Sequence, residues 1–319
     1  MKIKEIKDIN PGQFIDQKIR EIHSFVGDAL AINTLSGGVD SAVVTMLGHR
    51  ALGERLKTFF IDTGLMRKDE PQQVVSTFKK LGIQVQVVQA QDQIFSALKG
   101  LRDPEEKRAT ITHIFYKEIF GKLIRESGAK FLLQGTNYTD VEEIVAGLKH
   151  QQKVLEQLGI DSEEVYEYKV IEPLIQIRKP LVRKVCRTLA MPAAIHSRPS
   201  FPAPGLAARI LGEITPDKVD LVREANRIVE TFLSATGAFQ YMAILHNDWV
   251  TGVKKGKRYP GWQIEIRCWD SKDALSGVPF KLNQTLLLEM SDKIIAEVPG
   301  VVSVLYNITR KPPLTIEAV

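Results

Sequence analysis

Apolar and polar positions alternate in two rhythms over the first 190 residues. Residues 13–26 place Phe14, Ile15, Ile19, Ile22 and Phe25 at helical spacing, which predicts an opening amphipathic helix. Four short apolar runs follow: Ala29-Leu-Ala-Ile-Asn-Thr-Leu35, Leu56-Lys-Thr-Phe-Phe-Ile61, Gln84-Val-Gln-Val-Val88 and Lys130-Phe-Leu-Leu133. Each is rich in branched or aromatic side chains and is bounded by polar residues or glycine, so each predicts a strand. Helical periodicity fills the intervals at 41–52, 70–81 and about 107–126. Such repetition predicts an α/β fold, a doubly wound parallel sheet with helices on both faces. Ligands of these sheets lie beyond the carboxyl ends of the strands.

The rhythm changes near residue 190. Four prolines within 191–205 leave no room for a long helix or a central strand, so an ordered loop or linker is expected there. Beyond it, 216–234 and 282–297 read as helices, and 240–245, 263–267 and 301–306 as strands. The expected organisation is a first domain at 1–192, a Pro-rich linker at 193–206 and a second, smaller α+β domain at 207–319. The chain shows no internal repeat and no low-complexity tract.

Composition narrows the function classes. The chain has 319 residues, 44% apolar and 25% charged, a globular mix with room for a sizeable core. Lys and Arg exceed Asp and Glu by 43 to 38, a mild net charge of +5 that suits an anionic small substrate and does not call for nucleic acid. Only two cysteines occur, Cys186 and Cys268, far apart. That excludes a disulfide framework, a Cys-x-x-Cys redox pair and a Cys-rich metal site. Six scattered histidines show no zinc-ligand spacing, so no structural metal is expected. No apolar run approaches the roughly 20 residues of a membrane span. The first eight residues carry no apolar signal core, and a reducing cytoplasm is the expected compartment.

The most informative segment is Ser36-Gly37-Gly38-Val39-Asp40-Ser41, between the first predicted strand and its helix. Two glycines allow a tight turn and close approach of backbone N–H groups to a ligand. Two serines add hydroxyl donors, and the following helix N-terminus adds positive dipole character. Together they form a cradle for phosphate or pyrophosphate. It is neither a Walker loop nor G-x-G-x-x-G. Asp40 is a hard oxygen ligand, suited to Mg²⁺ or to bracing the loop.

Ser36–Ser41 resembles the pyrophosphatase loop of the ATP-pyrophosphatase superfamily. The resemblance extends to Ile61-Asp-Thr-Gly-Leu-Met-Arg-Lys-Asp-Glu70, Asp103-Pro-Glu-Glu-Lys-Arg108, Gln134-Gly-Thr136, Ile171-Glu-Pro-Leu174, Ile210-Leu-Gly-Glu213 and Lys311-Pro-Pro-Leu-Thr-Ile-Glu317. These occur in the order of GMP synthetase and cover the chain from about residue 13 onward, the ATP-pyrophosphatase part plus a dimerisation domain. The resemblance implies an adenine nucleotide alpha hydrolase-like first domain, a homodimer, and the substrates ATP, xanthosine monophosphate (XMP) and ammonia. By resemblance, Ser36, Gly37, Gly38, Val39, Asp40 and Ser41 hold the pyrophosphate of ATP, Asp40 with Mg²⁺. Ile61 and the Gly135-Thr136 turn flank adenine and ribose. Arg108, Gln240, Arg267, Lys311, Ile316 and Glu317 fall at family positions for XMP. Lys149 is the counterpart of a lid lysine that approaches the α-phosphate, with Lys153 one shift of alignment away.

The chain departs from the family in three places. The lid motif reads Lys149-His-Gln-Gln-Lys153, with glutamines for histidines, and a longer helical stretch follows it. Ala203 replaces a glycine in Phe201-Pro-Ala-Pro-Gly-Leu206. Gly252-Val-Lys-Lys-Gly-Lys-Arg-Tyr259 lacks the family's aspartate and gathers four cations. Neither cysteine sits in a nucleophile elbow, so the chain is expected to take ammonia freely or from a separate glutamine amidotransferase subunit. Two alternatives stand beside GMP formation: a paralogue adenylating a different acceptor, and a non-catalytic nucleotide-binding subunit.

Overall fold

The computed structural model describes residues 5–138, 140, 168–196, 201–202, 204–271 and 276–318. In chain order the elements are α1 (Pro11–Val26), β1 (Ala31–Leu35), α2 (Val39–Leu52), β2 (Leu56–Asp62), α3 (Glu70–Lys80), β3 (Val85–Gln89), α4 (Gln91–Leu98), α5 (Pro104–His113), a π-helical stretch (Ile114–Phe120), α6 (Gly121–Ser127), β4 (Phe131–Leu133) and β5 (Lys169–Ile171). They continue with α7 (Lys179–Thr188), α8 (Ala193–His196), a 3-10 turn (Gly205–Arg209), α9 (Pro216–Leu233), β6 (Gln240–Leu245), β7 (Val250–Lys254), β8 (Lys257–Asp270), β9 (Val278–Pro279), α10 (Gln284–Glu297) and β10 (Val301–Tyr306). The chain forms two compact units. The first holds Met1–Asp62, Glu70–Ala90 and His113–Arg198; the second holds Thr63–Asp69, Gln91–Thr112 and Pro199–Val319.

The first unit is built on a five-stranded sheet of order β3-β2-β1-β4-β5, parallel throughout. Its central strands are apolar on both faces, as a sheet covered on both sides requires: Ala31, Ile32, Phe59, Phe60 and Ile61 are all buried. The chain winds outward from β1 through β2 to β3, then crosses to β4 and β5 on the other side of β1, so a topological switch point lies at the carboxyl ends of β1 and β4. Helix α2 seats closely on β2 and β4 because Gly48 faces them. A Cβ there would stand 2.6 Å from Leu133 Cδ2 and 2.8 Å from Leu56 Cδ2.

The second unit has a mixed sheet. The long strand β8 pairs antiparallel with β6 and β7 and parallel with β10. Gln240–Leu245 is buried along its whole length, and α9 covers it with Val222, Ala225, Ile228 and Val229. Thr215 caps α9, its Oγ accepting from Lys218 N at 3.3 Å, with Pro216 at the first helical position. The expected helix at 107–126 corresponds to α5, the π-helical stretch and α6 in succession. The proline-rich stretch ends in a packed turn: Leu206 N donates to Leu65 O at 2.8 Å, and a Cβ on Gly205 would meet that same oxygen at 2.4 Å.

Candidate functional site

In the first unit the Ser36–Ser41 segment turns from β1 into α2 at the switch point. Gly37 takes φ +74°, open to glycine at little cost. Gly38 caps α2 in extended backbone and offers no side chain to the amides of the first turn. By contrast, Asn10 Oδ1 accepts from Gly12 N and Gln13 N at α1, and Asn283 Oδ1 from Leu286 N at α10. No side chain of the Gly38 cap occupies the first-turn amides of α2, and a helix start of this kind accommodates an anion. The hydroxyls of Ser36 and Ser41 lie 3.0 Å apart, and Ser41 Oγ donates to Gly38 O at 3.1 Å, which closes the loop on itself.

A buried polar network sets that loop in place. Thr45 Oγ1 donates to Ser41 O at 2.8 Å, Asn33 Nδ2 donates to Thr45 Oγ1, and Thr58 Oγ1 donates to Asn33 Oδ1 at 2.8 Å. All three side chains are buried, so β1, α2 and β2 are tied by bonds strengthened in a medium of low dielectric.

Asp40 lies in the first turn of α2. Its Oδ2 is 3.2 Å from Lys179 Nζ, at the start of α7, and its Oδ1 accepts from Asn137 Nδ2 at 3.4 Å. Gly135 presses on the same turn; a Cβ there would stand 3.1 Å from Asp40 C and Ser41 N. Thr136 hydrogen-bonds Glu172, whose carboxyl is pushed up by burial, opposed by Thr136 and reinforced by the charge of Asp140. The structure thus gathers Ser36, Gly37, Gly38, Asp40, Ser41, Gly135 and Thr136 at one end of the sheet. Val39 and the side chain of Ile61 are buried in the core beside them. Lys179 and Asn137 join the site although no sequence motif contains them, and Glu172 joins it from within Ile171-Glu-Pro-Leu174, which assigned it no role. Their available signals are the Arg178-Lys179-Pro180 helix start, which follows Ile171-Glu-Pro-Leu174, and the residue next to Gln134-Gly-Thr136. Lys149 and Lys153 lie outside the described residues.

In the second unit, Gln240, Arg267 and Glu317 come together. Arg267, buried in β8, donates through Nε to Glu265 Oε1 at 2.7 Å and through Nη1 to the carbonyls of Thr315, Ile316 and Glu317 at 3.0, 3.3 and 3.1 Å. Glu317 accepts from Arg209 at both oxygens and from Gln240 Nε2 at 3.5 Å. Glu265 also faces His246 and Asn307. Burial would raise its carboxyl, but hydrogen bonds from His246, Arg267 and Asn307 with the Arg267 charge hold it at about 2. Arg108 stands elsewhere in its contacts: it is half exposed on α5 with Glu105 Oε1 at 3.9 Å. Lys311 exchanges backbone hydrogen bonds with Gly277 at 2.9 and 3.0 Å. The four cations Lys254, Lys255, Lys257 and Arg258 form an exposed β7–β8 hairpin tip.

Both cysteines are free and buried, and burial pushes their thiols up, to about 11 for Cys186 and about 12 for Cys268. Neither is a nucleophile in these surroundings. No helix among the described residues is long and apolar enough to cross a membrane.

Residues 229–318 match the family model for the GMP synthase C terminal domain, and residues 26–137 match that for asparagine synthase. The chain is 43% identical over 306 residues to a subunit of the glutamine-hydrolyzing GMP synthase of Archaeoglobus fulgidus, covering 96% of this chain and 98% of that one. Over 308 residues it is 41% identical to the corresponding subunit from Pyrococcus furiosus, covering 96% of each. Over 311 residues it is 43% identical to that of Methanoculleus marisnigri, covering 97% of this chain and 99% of the other.

Proposed function

The chain belongs to the family of these GMP synthase subunits, and from that membership we propose that it aminates XMP to GMP with ATP and ammonia. The observation that carries the reading is the glycine turn at the switch point, with the uncapped amides of α2 and the Asp40–Lys179 pair beside it. The 2-oxygen of XMP attacks the α-phosphorus of ATP and the bond to the β-phosphate breaks. Pyrophosphate leaves, and ammonia then displaces AMP from adenylyl-XMP. Such a transfer needs positioning and charge neutralisation more than a protein nucleophile.

The roles, that of Lys179 apart, are those the family resemblance implies, and the chemistry of the side chains supports them. The amides of Gly37, Gly38 and the first turn of α2, with the hydroxyls of Ser36 and Ser41, receive the departing pyrophosphate. Lys179 adds a fixed cation, held by Asp40. Gly135, Thr136 and the backbone at Ile61 frame the nucleoside. Lys149 approaches the α-phosphate. Among the described residues no three His, Cys, Asp or Glu side chains cluster to hold a metal. A single carboxylate fits Mg²⁺, which takes much of its shell from phosphates and water. Asp40 would hold that ion, which neutralises phosphate charge. Arg108, Gln240, Arg267, Lys311, Ile316 and Glu317 receive XMP in the second unit. The unit also forms a homodimer, a separate glutamine amidotransferase subunit delivers ammonia, and the work belongs in the cytoplasm without nucleic acid.

Pyrophosphate release with ATP, Mg²⁺, ammonium and XMP tests the reading. Release only when XMP is present supports it. Release with another acceptor alone, or ATP binding without turnover, overturns it. Sedimentation reports the dimer separately.

A further inference from the structure

We propose that Arg209 is a positioning residue for the acceptor nucleotide: its guanidinium fixes the plane and orientation of the Glu317 carboxylate. The inference rests on the reading that Glu317 meets XMP. Arg209 ends the short turn after the proline-rich stretch and is 1% exposed. Its Nε and Nη2 donate to the two oxygens of Glu317 at 3.1 and 3.2 Å, a parallel two-bond fork. Its Nη1 donates to Asn226 Oδ1 at 2.6 Å. Asn226 is itself locked between α9 and β6, donating to Val222 O at 2.8 Å and Ala243 O at 2.9 Å and accepting from Ala243 N at 3.1 Å. The Phe201 ring closes the remaining face, 4.9 Å from the guanidinium carbon, with Arg67 on the same ring at 4.1 Å.

A buried guanidinium needs a counter-charge, and Glu317 supplies it. The reverse also holds: the fork allows the Glu317 carboxylate one orientation. Glu317 retains 18% side-chain exposure; its Oε1 takes Arg209 and Gln240, and its Oε2, bonded by Arg209 Nε, has lone-pair capacity left for a ligand. The tail around it is pinned independently, by Arg267 on three successive carbonyls and by Ala318 N donating to Ala208 O at 3.2 Å. Arg267 therefore fixes the backbone, and Arg209 aims the side chain. An ionised carboxylate only accepts, so it complements a purine ring N–H and selects for the acceptor base rather than for ATP.

The test measures ammonia-dependent GMP formation by the full chain, varying XMP and ATP in turn. Arg209→Met and Arg209→Lys should each raise KM for XMP about 10- to 100-fold, as loss of a charge-assisted pair does, with KM for ATP nearly unchanged. Lysine keeps the charge but not the fork, so its failure to restore KM identifies geometry. In a Glu317→Gln background, Arg209→Lys should add less than about twofold if Arg209 acts through Glu317. Equal rises in both KM values, or a full additive loss in that background, would overturn the proposal. If Glu317→Gln alone leaves KM for XMP unchanged, the reading of Glu317 as an XMP contact fails, and this inference with it. Should Arg209→Met fail to fold, Arg209→Lys carries the comparison.

Discussion

At the scale of single residues, the pair at the phosphate loop is the sharpest feature. Asp40 and Lys179 are far apart in sequence, yet their charged atoms stand 3.2 Å apart. Removing either breaks this pair at the proposed nucleotide site. Asp40→Asn and Lys179→Met should each lower kcat about tenfold or more, and the double variant should fall short of the product, because the pair acts as a unit. Steady-state pyrophosphate release measures all three. Lys107 gives a pH prediction. It is 1% exposed, and its Nζ donates to Ile210 O at 2.9 Å and Gly212 O at 3.1 Å. Burial, then repulsion from Lys218, brings its pKa down from 10.5 to about 8, against the opposing pull of Asp103. Between those values the unfolded chain holds more protons, so this residue adds stability as pH rises through that window and adds no slope below it. The urea midpoint of Lys107→Met should accordingly gain less between pH 8 and pH 10 than that of the wild type.

At the scale of elements, the close seating of α2 explains why the loop holds its shape. Gly48 costs helix propensity but admits Leu133 and Leu56 against the backbone. Gly48→Val should lower stability by about 1–3 kcal/mol through overpacking, read from urea unfolding, and should loosen ATP binding as well. Most of these elements are legible in the sequence, because amphipathic spacing and β-branched runs betray a buried face. Those missed have reasons. Strand β5 is three residues long, with Lys169 and Val170 exposed, too short for a period to show. Strand β7 bears its charge at the hairpin tip, where Lys254 looks like loop. The network of Asn33, Thr45 and Thr58 is polar inside a core, so hydrophobic pattern cannot find it. Of the candidate sites, the geometry of the Ser36–Ser41 turn is readable because glycine and serine spacing encodes backbone conformation. Lys179 and Arg209 are not, because each is defined by a partner distant in the chain.

At the scale of the molecule, neither thiol is set up for glutaminase chemistry, and the proposed function assigns ammonia supply to a separate subunit. The isolated chain should make GMP with ammonium salts and show no activity with glutamine. With ammonium, its rate should climb from neutral to mildly alkaline pH as the unprotonated nucleophile grows more abundant. Activity with glutamine in a highly purified preparation would contradict this.

The interleaving of the two units carries a further consequence. Segments 63–69 and 91–112 leave the first unit to complete the second, so neither is a contiguous stretch of chain. A recombination joint placed near residue 199 would give one descendant an incomplete half and leave the other with orphaned pieces. Shuffling can therefore transmit this module only whole, and any new partner must be appended at its margins rather than spliced within.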